Sequence, residues 1–220
     1  MSDETSLDVA GVGKLAKAIP AKAWTQLVDT ACTTFREAMA PLTATTSGLG
    51  RLITAKFDRL VEAEKVLAAE TMATAQRKVA TSKRGTTQQP NANIVVAALD
   101  NSACQTDPIL RELWANLLAQ ELVTGSVHPE FPHILARLSA AEAQLLAHIA
   151  ERENSKNEEL KRIVTKFSAS FFGVSLSVIG SEGISFAHEH LHQLNLITDS
   201  DRVWRLTLTG RAFIAAVTEP

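Results

Sequence analysis

The chain has 220 residues, 45% of them hydrophobic and 21% charged, and this balance excludes an intrinsically disordered protein. The 22 Lys and Arg residues against 24 Asp and Glu residues give a net charge of -2 at pH 7, which excludes a strongly basic nucleic-acid-binding protein and an acidic tail protein. Cys32 and Cys104 are too few for a disulfide framework or a four-ligand zinc site, and we expect them to be buried, reduced thiols.

The N-terminal segment, MSDETSLDVA, is acidic and polar and lacks the order of basic and apolar regions that marks a signal peptide. The longest uncharged stretches, residues 38–50 and 167–181, are shorter than the roughly 20 apolar residues that a membrane-spanning helix needs. We interpret residues 167–181 as a buried strand or an irregular core segment. The sequence therefore predicts a cytoplasmic protein without a transmembrane segment.

Apolar residues recur at steps of three and four after Pro20, which predicts an amphipathic helix. Pro41 and the small, polar run in residues 43–50 are expected to end it. A second helix then extends to Lys83, with a wide, Ala-rich apolar side. Residues 1–83 are thus predicted to form a helical hairpin or arm that packs on itself or on a second copy. The residues predicted to mediate self-association are Trp24, Phe35, Phe57 and Val61.

Residues 84–93 are predicted to be a linker, because the surrounding sequence SKRGTTQQPNAN is polar and rich in turn-forming residues. Basic residues cluster just before it, at Arg77, Lys78, Lys83 and Arg84. This cluster indicates a solvated helix end, with an anionic partner as the alternative. The Ala-rich run in residues 94–99 is interpreted as a helix, although a strand also fits its pattern.

The middle of the chain carries clear signals for where helices begin and end. Asp107 followed by Pro108 is typical of a helix start, and Gly125 of a helix end. Two prolines make a rigid turn, which is followed by a short helix predicted over residues 133–138. Ser139 with Glu142 has the spacing of a capping box and predicts a helix over residues 140–152. Another helix is predicted over residues 160–167.

The C-terminal residues are predicted to form a helix (184–194), a polar turn (199–202), a strand (203–208) and a final helix (211–217). This order is typical of a winged-helix unit, placed at about residues 157–220. The predicted fold class is mainly α: an N-terminal helical hairpin or arm is followed by a helical core, residues 94–220, which ends in a winged-helix-like unit with a small β-hairpin.

The segment from Asp107 to Glu151 contains the motifs LRELWANLLA, VHPEF and LSAAEAQLL, and it is followed by a leucine-rich helix ending in LI and by the pattern LT..G..F. This order of motifs resembles the Abi-alpha family of bacterial proteins, which are named for abortive infection, a form of phage defence. The usual glycine before LI is Asn195 here, which also accepts the left-handed conformation. The resemblance implies a role in phage defence and supplies no catalytic residues.

Residue patterns that carry catalysis are weak in this chain. His188 and His192 share a helix face, but no third metal ligand is fixed near them, so we predict exposed histidines and no metal site. His128 and His133 flank a turn that offers no nucleophile. No phosphate-binding loop or nucleophile elbow is present in the sequence. We therefore predict no cofactor and no enzymatic activity.

DNA binding is the main alternative, because a winged helix reads the major groove through its second helix. The candidate contact residues are Gln193, His190, Arg202 and Arg205. Acidic residues surround them in the sequence, and the unit is close to neutral, whereas DNA binding needs clustered cations.

We therefore predict a non-enzymatic component of phage defence that acts through protein–protein contacts. A homo-oligomer is expected, and the partner is another defence protein or a phage protein. Two alternatives stay open: a winged-helix transcription regulator that binds DNA, and a membrane-active effector that acts through the amphipathic arm.

Overall fold

The computed structural model describes residues 20–45, 47–82, 89–153, 158–169, 181–200, 203–218 and 220. In these ranges the chain is mainly helical, with one small antiparallel hairpin near the C-terminus, which confirms the predicted fold class at that level. The first helices are α1 (Ala21–Thr45), α2 (Ser47–Asp58), α3 (Glu62–Thr81), α4 (Ala92–Ala103) and α5 (Pro108–Thr124). The next are α6 (Glu130–Arg137), α7 (Ala140–Arg152), α8 (Glu158–Ala169) and α9 (Ser181–Gln193). The chain continues through β1 (Ile197–Ser200) and β2 (Val203–Leu206) to α10 (Leu208–Ala216).

The predicted break within residues 43–50 is confirmed, since α1 ends at Thr45 and α2 begins at Ser47, but Pro41 does not end the first helix. Helix α1 continues through Pro41 to Thr45, because the burial of Phe35 and Met39 on the preceding turns outweighs the backbone hydrogen bond that proline removes. The predicted second helix is instead divided near Val61, whose N–H donates to the Glu64 side chain at 3.1 Å and so begins α3.

The α1–α3 helices pack against the rest of the protein through one hydrophobic core. Phe35 of α1 and Phe57 of α2 stack with ring centroids 3.7 Å apart. Helix α3 lies against α4 and α5, and Lys78 of α3 donates to Glu112 of α5 at 2.6 Å. The core extends through α5, which is buried from Leu113 to Ala119. The division into arm, linker and core stays a prediction, since residues 83–88 lie outside the described ranges.

The predicted helix boundaries of the central region are largely confirmed. The Asp107 carboxylate accepts the N–H groups of Ile109 and Leu110, and Gly125 ends α5 in the left-handed conformation with φ 61°. The Ser139–Glu142 capping box begins α7, and the residues 94–99 lie in helix α4. Helix α6 begins at Glu130, earlier than predicted, because a proline in the first turn needs no hydrogen bond to the preceding chain.

Cys104 lies at the end of α4 and is exposed, so the prediction that both cysteines are buried is wrong. Its thiol lies 3.7 Å from a Glu64 carboxylate oxygen. The partial burial of the thiol, followed by the nearby Glu64 charge, raises the pKa of Cys104. Cys32 is half-buried in α1.

The C-terminal elements follow the predicted order of helix, hairpin and helix. Strands β1 and β2 pair antiparallel, with Ile197 opposite Leu206 and Ser200 opposite Val203. Asp199 is therefore in a strand rather than in the predicted turn, while residues 201 and 202 lie outside the described ranges. Strand β2 ends before residue 207 because the Thr207 hydroxyl caps α10 by accepting the Gly210 N–H at 2.9 Å. Of the predicted strand in residues 167–181, the part up to Ala169 is helical and residues 170–180 are outside the described ranges.

The backbone at two positions of this region explains why the sequence has asparagine at one and glycine at the other. Asn195 has φ 56°, which confirms that it takes the left-handed position expected of it. Gly210 approaches the Leu196 carbonyl so closely that a Cβ atom would lie 2.0 Å from its oxygen. The glycine of the LT..G pattern is therefore required by the contact between α10 and the start of the hairpin.

Within the described ranges, no helix combines the length and the apolar character needed to cross a lipid bilayer.

We predict that Gly210→Ala lowers the free energy of unfolding by about 1–3 kcal/mol, because the added methyl group meets a backbone carbonyl that cannot move aside cheaply. Gly48→Ala is the matched control: its Cβ would meet nothing within 4 Å, and alanine favours the helix by up to about 1 kcal/mol. Urea denaturation monitored by circular dichroism measures both changes. Equal losses of stability in the two variants would contradict the steric explanation.

Candidate functional site

A cleft of about 840 Å³ lies between the turn before α6, helix α6, the end of α9 and helix α10. Its lining combines apolar and polar side chains from segments that are far apart in the sequence. The apolar and small lining residues are Val127, Phe131, Ile134, Leu194, Leu208, Ala212, Ala215 and Ala216. The polar lining residues are Gln120, Ser126, His128, Glu130, Arg137, Gln193, Asn195 and Thr209.

The VHPEF turn, the end of the leucine-rich helix and the LT..G..F segment meet at this cleft. The VHPEF turn and the LT..G..F segment touch where the Phe131 and Phe213 rings meet edge to face, with centroids 5.7 Å apart. The end of the leucine-rich helix joins them, since the Asn195 side chain donates to the Thr209 hydroxyl at 3.2 Å. The LRELWANLLA helix, α5, contacts the end of α10, where the buried Asn116 side chain donates to the Val217 carbonyl at 3.0 Å.

The rim of the cleft carries balanced charge and several hydrogen-bonding groups. Glu130 and Arg137 contribute one charge of each sign. The Glu130 N–H donates to Nδ1 of His128 at 3.2 Å, so we assign the ring hydrogen of the neutral imidazole to Nε2. Leu208 stands at the rim with 84% of its surface exposed. This arrangement, an apolar floor inside a polar rim, suits the binding of a partly apolar segment.

A fully buried carboxylate, Glu121, lies directly behind the cleft. Its two oxygens accept backbone N–H groups from different loops: Oε1 from Asn91 at 2.5 Å and Oε2 from Val127 at 3.0 Å. Burial raises the pKa of Glu121, and the two N–H groups oppose that rise only in part. The sequence signal for this residue is a lone carboxylate within the apolar face of α5.

His190, a predicted DNA contact, is held within the protein instead of facing solvent. Its Nδ1 lies 2.5 Å from Oε1 of Glu142, and both side chains are largely buried. The other oxygen of Glu142 accepts the N–H and hydroxyl groups of Ser139. Burial alone would raise the pKa of Glu142, but the hydrogen bonds from Ser139 and His190 outweigh it and lower that pKa. This pair ties α9 to the beginning of α7.

Of the other predicted DNA contacts, Gln193 and Arg205 lie on different elements, α9 and β2. Gln193 is exposed at the end of α9 and lines the cleft. Arg205 is exposed on β2, opposite Thr198 of β1, and does not line the cleft. Arg202 lies outside the described residues. The DNA-binding alternative stays a prediction.

The remaining histidines of α9 pack on the hairpin. The rings of His188 and His192 lie 5.1 and 6.0 Å from the Trp204 ring, the first stacked and the second edge to face. Within the described part of the chain, no three His, Cys, Asp or Glu side chains converge in a way that could hold a metal ion. The aromatic contacts of these two histidines attach α9 to β2.

The four predicted self-association residues lie in different environments. Phe35 and Phe57 are buried against each other in the core. Trp24 is half-buried, and its ring nitrogen donates to the Glu62 carboxylate at 2.5 Å. Val61 is 63% exposed at the start of α3. Self-association through these residues stays a prediction.

We predict that Glu142→Gln lowers the free energy of unfolding by about 1–3 kcal/mol at pH 7, because the charged carboxylate receives three hydrogen bonds in a largely buried place. Since the folded-state pKa of Glu142 lies below its ordinary value of 4.5, this contribution is complete above pH 4.5 and is lost as the pH falls through the lowered pKa. Urea denaturation at a series of pH values should therefore show the two proteins converging in acid. Glu151→Gln, which changes an exposed carboxylate of the same helix, should follow the unmodified protein throughout. If the difference in free energy of unfolding between Glu142→Gln and the unmodified protein stayed constant in acid, the stabilising role of the charged carboxylate would be refuted.

The family comparison covers most of the structure described above. The sequence model described as "Abortive infection alpha" matches residues 62–207, from the beginning of α3 through β2 and Thr207. No curated protein and no solved structure matches the chain. The family match includes the cleft residues from the turn before α6, from α6 and from the end of α9, and it ends just before the lining residues of α10. The chain belongs to the Abortive infection alpha family.

Proposed function

We propose that this protein is a non-enzymatic component of phage defence and that it acts by holding a protein partner in the cleft between α6, α9 and α10. The family to which the chain belongs is named for abortive infection, which supports the defence role. The partner class is a phage protein or another defence protein.

The composition of the cleft favours binding over catalysis. The Phe131 and Ile134 side chains form an apolar floor, while Glu130 and Arg137 give the rim no excess of either charge. A catalytic centre needs a nucleophile or base with an orienting partner, and the one imidazole on the rim, His128, receives a backbone N–H that leaves its Nε2–H as a donor. A segment with apolar side chains and polar ends matches this lining.

The observation that carries the proposal is the exposed Leu208 at the rim of a cleft built from the family motifs. A leucine with 84% of its surface in water gains from burial only when a partner covers it. Its position at the beginning of α10, directly after Thr207 of the LT..G pattern, places it where a partner in the cleft would contact it.

Leu208→Glu is expected to abolish protection against phage, because a charge at the rim opposes burial by an apolar partner. The substitution suits the first turn of α10, where a carboxylate is favourable. Cells that express the protein are challenged with a panel of phages, and for a phage that the unmodified protein restricts, plaque numbers should rise at least tenfold in the variant.

Leu52→Glu is the matched control, since Leu52 is also an exposed helical leucine, with 47% of its surface exposed, and it lies in α2 away from the cleft. This variant should keep full protection. Circular dichroism melts of both purified variants show whether each is folded. Unchanged protection by folded Leu208→Glu, or no protection by the unmodified protein across a broad panel, would reject the proposal.

A further inference from the structure

Glu121 connects two parts of the chain that the sequence separates by 36 residues, and neither is part of its own helix. One part is Asn91, the residue that caps the beginning of α4. The other is Val127, whose side chain forms part of the cleft wall. The carboxylate accepts the backbone N–H of both residues. Because these donors belong to the main chain, their positions depend on the paths of the two loops and on no particular side chain.

We propose that Glu121 is a positioning residue that couples the beginning of α4 to the wall of the cleft, so that displacement of either loop loosens the other. This proposal rests on the proposed function, because it takes the cleft as the binding site. The coupling provides a route by which movement at Asn91 changes the affinity of the cleft for its partner.

The coupling follows from the burial of the carboxylate. A buried carboxylate needs most of its hydrogen bonds, and the loss of one donor leaves the remaining charge poorly compensated. The free energy needed to expose the Glu121 carboxylate to water then falls, and the second N–H donor can separate from the carboxylate more easily. The Glu121 carbonyl also accepts the Gly125 N–H at 2.7 Å, which keeps the last turn of α5 beneath Val127 in place.

Asn91 allows the coupling to be tested with a matched pair of variants. Asn91→Pro removes the N–H that Glu121 accepts, and the observed φ of -73° is compatible with proline. It also removes the side chain that caps α4 by accepting the Asn93 N–H. Asn91→Ala removes the same cap but keeps the backbone N–H. The difference between the two variants therefore reports the loss of the N–H bond to Glu121 together with the displacement of that carboxylate by the proline ring.

Amide hydrogen exchange of the full-length protein, measured by NMR, gives the readout at the Val127 side. We expect the Val127 N–H to exchange at least tenfold faster in Asn91→Pro than in Asn91→Ala. The Thr207 N–H, which donates to the Leu196 carbonyl at 3.0 Å, serves as the reference for any general loss of stability. A Val127 rate that is equal or lower in Asn91→Pro, after correction by this reference, would overturn the proposal.

A second background tests whether Glu121 itself transmits the effect. In Glu121→Gln the side chain has a single acceptor oxygen and cannot serve both loops. The tenfold difference between the Asn91 variants should then shrink to less than twofold at Val127. A full difference that persists in Glu121→Gln would show that another contact carries the effect and would also overturn the proposal. Both measurements use purified protein without a partner, so their outcome is independent of the phage assay.

Discussion

Helix α5 is the structural constraint on which the rest of the protein depends. It is buried along most of its length, from Leu113 to Ala119 and again from Glu121 to Val123, so its polar side chains must find partners inside the protein. The Asn116 side chain donates to the Val217 carbonyl at the end of α10, although its Oδ1 has no hydrogen-bond partner among the described residues. Glu121 accepts N–H groups from the beginning of α4 and from the turn before α6. These directional contacts add to the packing of the leucines in positioning the neighbouring segments.

The cleft is a consequence of that arrangement. Its walls come from α6, α9 and α10, and each wall is held from behind by a specific polar contact. Val127 is held by Glu121, the final helix by Asn116, and α9 by the pair of His190 and Glu142. The open side carries the exposed Leu208 and a rim with balanced charge. An apolar floor that is held by such contacts and surrounded by a polar rim suits a surface that recognises another protein.

The C-terminal hairpin packs against helix α9 through aromatic side chains. The His188 and His192 rings contact Trp204 of β2, while His190 points to Glu142 of α7. The histidines of α9 thus join two different elements. Of the predicted DNA contacts, Gln193 and Arg205 are both exposed, and Gln193 also lines the cleft that we propose as the site of a protein partner.

Features that depend on a few neighbouring residues are predictable from the amino-acid sequence. The helix caps at Asp107 and Ser139, the helix end at Gly125 and the left-handed Asn195 follow from local backbone chemistry, and the structure has each of them. The family motifs likewise lie in continuous segments, so they were visible without a fold.

Features that join distant segments depend on how the helices pack in three dimensions. The passage of α1 through Pro41 depends on core packing, and the break at Val61 depends on a side chain that reaches back to the main chain. The bonds of Glu121 and His190 span 30 and 48 residues, and no periodic pattern encodes such a pair. The cleft also depends on the tertiary structure, because its walls become neighbours only when the buried α5 brings the end of the chain back to its middle.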